Sequence, residues 1–420
     1  MTRRMIIKYF GNFKNFRCNI MKKEKVAIEK GFGKSLNVGS GETLIYSFPG
    51  LKIFAYQTDF GFLKLKCSGI FSHIGKPAIS AINQKLKSER PAFVSDDKIY
   101  PSCWLPPIPS SVFSRLIRAE ILISLGKFIP ETVSIELVRQ NNPNCKKDGP
   151  LPDPKFIKKI ISSAQDMGAV VITFTEGDPL LNDDIYDYID FVDKSKSVVM
   201  CYTWGLDFSP EKAVKLKKAG LQTLLVSLYS TDPKEHDRVR GIDGAYEKAV
   251  NAIKYGIDAG LFVTVATHVS DKNVDEIPKL YKQAADLGAH EFSIWESTPE
   301  NGRAKVSESS RNKIRKFYKK INGKSSFSKT NKKPRVFSNT VFESDTFGFL
   351  AGRRWLHIGI EGDVRPDPYI DLSYGCAKCE PLEKIWKRIR RDPIFRHKRK
   401  NHPLQNKTYS KRALDSSKRF

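Results

Sequence analysis

The sequence predicts an α/β fold, a partial (β/α)6 barrel of the TIM-like kind. Short apolar runs, typical of parallel strands buried on both faces, alternate six times with amphipathic segments of helical length. Several helical segments carry end signals; one starts at Ser209 and Pro210 and stops at Gly220. Six units are too few to close an eight-stranded barrel, so we expect an open one.

The strands and helices follow each other at the short spacing of βα units. We expect strands at 132–137, 169–175, 197–203, 222–229, 262–269 and 291–297. We expect the helices that follow them at 153–168, 182–195, 209–220, 244–260, 273–288 and from Val306 onward.

The first 130 residues or so lack this repeat. They contain strand-like runs at 43–48 and 51–67, a Pro-rich turn at 103–111 and a helical segment at 111–125. We therefore predict an N-terminal accessory domain, mostly β or α+β. The predicted divisions are 1–128 for this domain, 129–324 for the barrel, 325–400 for a smaller C-terminal domain and 401–420 for a basic tail.

Composition excludes some classes of protein. No apolar run reaches the roughly 18 residues of a membrane-spanning helix, so we expect no membrane association. The seven cysteines are odd in number and mostly far apart, which favours a reducing, cytoplasmic setting.

Positive charge is concentrated in two segments. Residues 311–335 contain eleven Lys or Arg and no Asp or Glu, and residues 384–420 contain fourteen Lys or Arg against two Asp. Together they carry +23 of the formal net charge of +26. This pattern predicts binding of RNA or another polyanion, with a solvated helix face and a frayed tail as the alternative. Four aromatic residues among these charges would stack on unpaired bases: Phe317, Tyr318, Phe395 and Tyr409.

Distinctive turns follow three successive predicted strands. They read TEGDPLL at 175–181, YTWG at 202–205, and SLYSTDPKEHDRVRG from Ser227 to Gly241. In order and spacing this series resembles the radical S-adenosylmethionine superfamily, which has a Gly-Gly-Glu-Pro-like turn, a Thr-Asn-Gly-like turn, and a Ser followed by His-Asp-x-x-Arg-Gly. The resemblance implies a radical SAM type of barrel, with ligands at the carboxyl ends of the strands.

The loop after the first barrel strand departs from that family. The family places Cys-x3-Cys-x2-Cys there to hold a [4Fe–4S] cluster, whose open iron binds S-adenosylmethionine. With Cys145 as the middle ligand, the spacing falls on Asn141 and Asp148. One thiolate is insufficient for a four-iron cluster, because iron–sulfur clusters require sulfur ligands. We therefore expect the cluster to have been lost and Cys145 and Asp148 to be vestigial metal ligands.

A second site shows the same loss. Residues 347–386 resemble the auxiliary-cluster region called SPASM or twitch, which begins with Cys, then Gly, then a second Cys. Here these positions are Phe349, Gly362 and Asp367, so 325–400 is identified as a remnant of the auxiliary domain.

Cys376 and Cys379 form a CxxC pair within that remnant. Such a pair is able to hold half of a zinc site, with Asp367, His397 or His402 nearby in sequence. The alternative, which we favour, is a pair of incidental thiols.

The nucleotide-binding positions are better preserved. By the resemblance, Glu176, Gly177, Asp178 and Pro179 would meet the amino group of S-adenosylmethionine, and Ser227 and Arg240 its carboxylate. Glu176 replaces a glycine and adds a carboxylate to the pocket, and Trp204 replaces an asparagine. We expect His236 and Asp237 to order the loop rather than to catalyse. The ENGRA segment at 300–304 resembles a family turn near the adenine and ribose.

These observations predict a degenerate radical SAM-like protein with a binding role toward nucleic acid, an acidic protein or an active paralogue. Two alternatives remain open. One is an active radical enzyme with non-standard cluster ligation; the other is cluster-free binding of S-adenosylmethionine with polar methyl transfer.

Overall fold

The N-terminal part contains a small antiparallel sheet. Three strands, β1 (Thr43–Phe48), β2 (Leu51–Gln57) and β3 (Leu63–Ser68), pair in sequence order. Helix α1 (Ser111–Ser124) packs on them through Phe113 and Ile117. Both predicted strand regions and the predicted helix are confirmed. The computed structural model describes residues 42–48, 50–57, 63–70, 72–73, 76, 79–80, 83, 90–94, 98–124, 126–139, 151–299, 305–323 and 333–417.

All six predicted strand–helix units are present. The strands are β6 (Thr132–Ile135), β7 (Val171–Phe174), β8 (Val198–Thr203), β9 (Thr223–Ser227), β10 (Phe262–Val269) and β11 (Glu291–Glu296). The helices are α2 (Pro154–Met167), α3 (Ile185–Phe191), α4 (Pro210–Ala219), α5 (Pro233–Arg240), α6 (Ala245–Asp258), α7 (Ile277–Asp286) and α8 (Glu308–Asn322). Ser209 caps α4 through its side chain, and Gly220 ends it in the left-handed conformation, as predicted.

The sheet extends beyond the six predicted strands. Its order is β12-β11-β10-β9-β8-β7-β6-β13-β14, with β12 (Arg335–Ser338) parallel to β11 and β13 (Trp355–Ile358) parallel to β6. The last strand, β14 (Val364–Arg365), is antiparallel to β13. The described chain therefore contributes eight parallel strands, two of which the sequence pattern did not reveal.

The sheet curves into a barrel. Trp295 on β11 and Trp355 on β13 are far apart in strand order, yet their ring centroids lie 6.2 Å apart. Trp104, from the segment before α1, lies against both rings at 5.4 and 5.7 Å. Large aromatic side chains thus pack together between the two ends of the parallel sheet.

The amino-terminal end of the barrel is closed by the segment that precedes α1. Two short paired strands, β4 (Phe93–Val94) and β5 (Ile99–Tyr100), lie in this segment. Cys103 packs with the first residues of several barrel strands, including Val171 and Phe262. This leaves the carboxyl ends of the strands as the open face.

A buried ion pair lies under that closure. Arg335 donates to Glu291 over 2.8 Å, and neither side chain is more than 8% exposed. Ser102 Oγ and the amide of Cys103 also donate to Glu291, each over 3.2 Å. Because buried charges are stable only when paired and hydrogen-bonded, these contacts fix the closing segment to the barrel.

The C-terminal segment is folded onto the barrel. A π-helix (Thr340–Phe347) follows β12, and three helices follow β14: α9 (Leu382–Arg391), α10 (Pro393–Arg396) and α11 (Lys407–Ser417). Phe395, Tyr409 and Ala413 are buried in the main core. The expectation of a frayed tail is wrong for these residues, because their apolar side chains anchor α10 and α11.

None of the helices in the described ranges is long and apolar enough to cross a membrane. The proposed division into four domains is not decided by these contacts and stays a prediction.

Candidate functional site

The turn after β7 is fixed by a buried aspartate. Asp178 is 1% exposed and accepts hydrogen bonds from Thr203 Oγ1 at 2.9 Å, the amide of Trp204 at 3.0 Å and the amide of Leu180 at 3.2 Å. Burial raises the pKa of Asp178, and these hydrogen bonds oppose the shift. Asp178 therefore joins the β7 turn to the β8 turn and caps the short 3₁₀ helix that begins at Pro179.

The turn after β8 is fixed by a hydrogen bond and by close packing against α6. Gly205 has a φ of +78° and its amide donates to Thr203 Oγ1 over 2.9 Å. A side chain at this position would place its Cβ 2.7 Å from the carbonyl oxygen of Lys248 on α6. Only glycine allows this turn to lie so close to the helix.

Arg240, at the end of α5, lies between two aromatic rings. Its guanidinium carbon is 4.1 Å from the ring centroid of Trp204 and 4.4 Å from that of Tyr229. It also donates to the Tyr229 hydroxyl over 3.0 Å. We call Asp178, Trp204, Tyr229 and Arg240 the Arg240 cluster. Tyr229 was not among the predicted site residues, although it lies two positions after Ser227, the last residue of β9.

His236 and Asp237 order this loop, as expected. His236 is 1% exposed, and its Nδ1 accepts from the amide of Tyr229 over 3.1 Å. Burial lowers the pKa of His236 to about 4, with a contribution from nearby Arg240. Asp237 accepts from the amides of Gly244 and Tyr246 at 2.7 and 2.8 Å, so it fixes the start of α6.

Glu176 adds a strained carboxyl group to the open face. Its φ is +66°, the one positive value among described residues other than glycine, and Gly177 follows with a φ of +55°. Surrounding protein raises the pKa of Glu176 to about 7, and the nearby carboxylate of Glu136 adds to the shift. Solvent reaches the side chain, which moderates this effect.

A small cavity lies at the carboxyl ends of β11 and β12. Its volume is about 20 Å³, and Glu343, Phe349, Asp367 and His402 line it. Phe349 and His402 meet edge to face with ring centroids 5.1 Å apart, and His402 Nε2 lies 3.6 Å from Asp367 Oδ2. Phe349 and Asp367, which occupy the positions of the two auxiliary-cluster cysteines, therefore line the same cavity. Glu343 was missed because the sequence gives no sign of the π-helix that carries it.

The loop that the resemblance aligns with the cluster ligands is not part of the described structure. Asn141, Cys145 and Asp148 lie outside the described residues, as does the ENGRA segment at 300–304.

The CxxC pair lies apart from the other proposed zinc ligands. In the described part of the chain, no group of three or more His, Cys, Asp or Glu side chains is arranged to hold a metal ion. Asp367 contacts His402, and its Oδ1 accepts from the amides of Tyr369 and Ile370. The half site formed by Cys376 and Cys379 stays a prediction.

Many basic side chains in the first charged segment are paired. Arg311 forms a bidentate contact with Glu296, Arg315 contacts Asp345, and Arg335 is buried against Glu291. The proposed base-stacking role is wrong for Phe395 and Tyr409, which are 1% and 4% exposed. Phe317 and Tyr318 are half-buried against the core.

Comparison with known proteins agrees with this architecture. Residues 140–293 match the radical SAM superfamily. The chain belongs to the radical SAM superfamily. This radical SAM protein is 27% identical over 263 residues to the AdoMet-dependent heme synthase of Nitratidesulfovibrio vulgaris, covering 57% of this chain and 71% of that one. It is 25% identical over 271 residues to the AdoMet-dependent heme synthase of Methanosarcina barkeri, covering 60% and 76%.

The fold itself is shared with SuiB of Streptococcus suis, whose crystal structure was solved bound to the precursor peptide SuiA. The TM-score is 0.52 at 14% identity, covering 84% of this chain and 90% of SuiB. Superfamily membership implies S-adenosylmethionine and a [4Fe–4S] cluster as cofactors.

The side chains fit these two cofactors unequally. The Arg240 cluster offers a guanidinium for a carboxylate, although two rings cover its faces. The segment 138–149 offers one thiol where a four-iron cluster requires three.

Proposed function

We propose that this radical SAM protein holds no [4Fe–4S] cluster and acts as a binding protein that retains a weak S-adenosylmethionine pocket. The observation that carries the proposal is the single cysteine, Cys145, in the segment 138–149. Asn141 and Asp148 occupy the positions of the other two thiolates, and a neutral amide is a poor ligand for iron.

The Arg240 cluster supports the same proposal. A guanidinium that binds a carboxylate uses its N–H groups in a fork, and one of those of Arg240 is already donated to Tyr229. Trp204 and Tyr229 also hold the group in place by cation–π contact. Glu176, on the same turn as Asp178, adds a carboxyl group to the open face, which disfavours the carboxylate of a ligand there. Weak binding of S-adenosylmethionine is the expected result.

For the binding role, we propose RNA or another polyanion as the partner of the C-terminal segment. Arg391, Arg396, Lys400, Lys407 and Lys411 on or beside α9 to α11 are exposed. Clustered exposed cations on a packed surface attract phosphates at little entropic cost. The first segment, 311–335, contributes less by this argument because its arginines are paired with acids. An active paralogue of the same fold is the alternative partner.

A second function, that of a radical enzyme, is supported by a different observation. The similarity to two AdoMet-dependent heme synthases extends over more than half of this chain. In that case a ligand from outside the segment 138–149 must complete the cluster.

Iron and sulfide content distinguishes these two functions. After anaerobic purification and reconstitution, we expect far less than one [4Fe–4S] cluster per chain and none of the broad visible absorption of such clusters. A full complement of iron and sulfide in the unmodified protein would disprove the proposal. A Cys145→Ser variant serves as the matched control, since any iron bound through this loop must then be lost.

A further inference from the structure

The CxxC pair lies on a rigid turn between β14 and α9. The backbone of Cys376 pairs with Asp363 in an antiparallel bridge, and the amide of Ala377 donates to the carbonyl of Gly362 over 2.7 Å. The amides of Cys379 and Glu380 both donate to the carbonyl of Cys376, over 3.0 and 3.1 Å. Both ends of the pair are therefore fixed by backbone hydrogen bonds.

This turn brings the two thiols together. The hydrogen bond from the amide of Cys379 to the carbonyl of Cys376 closes a turn of four residues, which keeps the Cα atoms of the two cysteines within about 7 Å of each other. Both are free cysteines; Cys376 is half-buried and Cys379 is exposed. Closing a disulfide between them is compatible with this turn, because disulfides join cysteines whose Cα atoms lie less than about 7 Å apart.

We propose that Cys376 and Cys379 form a dithiol–disulfide exchange site that reacts with small disulfides. The thiolate of one cysteine attacks a disulfide of the type R–S–S–R, forming a mixed disulfide and releasing one R–S⁻. The second cysteine, as its thiolate, then attacks the mixed disulfide and releases the other R–S⁻. The protein loses two protons and two electrons, and the small disulfide is reduced to two thiols.

The surface next to Cys379 has room for such a reactant. An open groove runs from this turn along α9 and α2, with Ile160, Met167 and Trp386 among its apolar lining residues. Lys127 and Lys159 at the same groove are exposed. Asp166, Glu380 and Glu383 also line the groove, so glutathione disulfide, which carries both carboxylate and ammonium groups, matches its mixed charges and apolar floor.

Of the three other described cysteines, Cys67 is half-buried, and its thiol donates to the carbonyl of Ser72 over 3.5 Å. Cys103 and Cys201 are both 0% exposed, so a disulfide in solution does not reach them in the folded protein. The exchange site is also independent of the proposed loss of the cluster, because it uses neither iron nor S-adenosylmethionine.

The test uses the full chain equilibrated in graded mixtures of reduced and oxidised glutathione, then acid-quenched and analysed by intact mass and peptide mapping. We expect the wild type to lose two hydrogen masses at oxidising ratios, with the new disulfide mapped to Cys376 and Cys379. In Cys376→Ser and Cys379→Ser, the remaining cysteine should carry a glutathione adduct instead. Cys201→Ser, which alters a buried thiol, should behave like the wild type.

A denatured sample tests whether the folded structure favours formation of this disulfide. The exchange constant of the native protein should exceed that of the chain in concentrated urea by at least about tenfold, since the turn holds the thiols together. Equal constants would overturn the proposal, and so would a disulfide that maps to another cysteine pair. A stable glutathione adduct on wild-type Cys379, without an internal disulfide, would overturn it as well.

Discussion

The guanidinium carbon of Arg240 lies over the ring of Trp204, 4.1 Å from the ring centroid. The same tryptophan donates its amide to Asp178, so one residue joins the turns after β7 and β8 to the end of α5. The radical SAM resemblance implies an asparagine at the position of Trp204. The tryptophan therefore packs against Arg240, the residue that the resemblance assigns to the carboxylate of S-adenosylmethionine.

Replacing this tryptophan should strengthen cofactor binding. Trp204→Asn uncovers one face of Arg240, and removal of a cation–π interaction of about 1 kcal/mol corresponds to roughly fivefold tighter binding of S-adenosylmethionine. Arg240→Ala should remove binding, because a charge-assisted hydrogen bond contributes about 1.5–3 kcal/mol. Isothermal titration calorimetry measures both. Arg238→Ala, an exposed arginine on the same helix, is the control. If neither Trp204→Asn nor Arg240→Ala alters the affinity, the pocket has been assigned to the wrong residues.

Restoring the missing thiolates should restore part of the cluster. The double variant Asn141→Cys, Asp148→Cys recreates the family spacing around Cys145. We expect iron, sulfide and visible absorption to rise well above those of the wild type after reconstitution, because thiolates are the preferred ligands of iron–sulfur clusters. The same double variant with Cys145→Ser should lose this gain. Absence of any gain would show that more than the ligands has changed in this loop.

Glu176→Gly should stabilise the protein. A non-glycine residue at a φ of +66° destabilises the folded state by about 1–2 kcal/mol. Glycine removes this strain, but it also increases the conformational entropy of the unfolded chain, which offsets part of the gain. We expect the free energy of unfolding, measured in urea, to rise by about 1 kcal/mol or less. Glu176→Gln keeps the backbone strain and removes only the charge, so it separates the two effects.

The gain in stability from Glu176→Gly should increase with pH. The folded protein holds the pKa of Glu176 near 7, above the ordinary value of 4.5, so folding favours the protonated form. Stability from this group is present at low pH and is lost as the pH rises toward 7 and above. The gain from Glu176→Gly should accordingly be larger at pH 8 than at pH 5. A gain that is equal at both would mean that solvent fully screens the carboxylate.

His236 should contribute to acid sensitivity. Its pKa is about 4 in the folded protein and 6.5 in the unfolded chain, so the unfolded chain binds more protons between these values. The stability that neutral His236 provides is present above pH 6.5 and falls as the pH drops toward 4. The free energy of unfolding lost in His236→Gln should therefore be smaller at pH 5 than at pH 7, by about 2 kcal/mol. The same measurement on His397→Gln, at an exposed position, serves as the matched control.

RNA binding should depend on exposed cations of the C-terminal segment. Replacing Arg396, Lys400, Lys407 and Lys411 by Gln should weaken binding of single-stranded RNA and lower the log–log salt slope by roughly 0.7 for each phosphate that the variant no longer neutralises. Fluorescence anisotropy of a labelled RNA at three salt concentrations measures both. The substitutions are preferable to deletion of 394–420, which would also remove the buried Phe395 and Tyr409. Identical curves for the two proteins would leave 311–335 as the remaining basic candidate.

The sequence alone determined the barrel and most of the turns. Apolar runs and capped helices specify parallel strands and their connections through local physical chemistry, and Ser209 and Gly220 mark the ends of α4 where the structure has them. The roles of His236 and Asp237 also followed from the motif. Each of these features depends on residues close together in the chain, or on a spacing that the motif preserves.

Features that depend on contacts between residues far apart in the chain were visible only in the tertiary structure. Strand β13 pairs with β6, which lies far earlier in the chain, and β12 pairs with β11 across the segment that contains α8; no repeat in the sequence marks either strand. The burial of Tyr409 and the sandwich of Arg240 between Trp204 and Tyr229 depend on which surfaces meet after folding. A charged sequence appears the same whether its cations face solvent or lie paired with acids such as Glu291. Only the packed chain distinguishes the two, because burial and pairing are properties of the surroundings of a residue and not of its type.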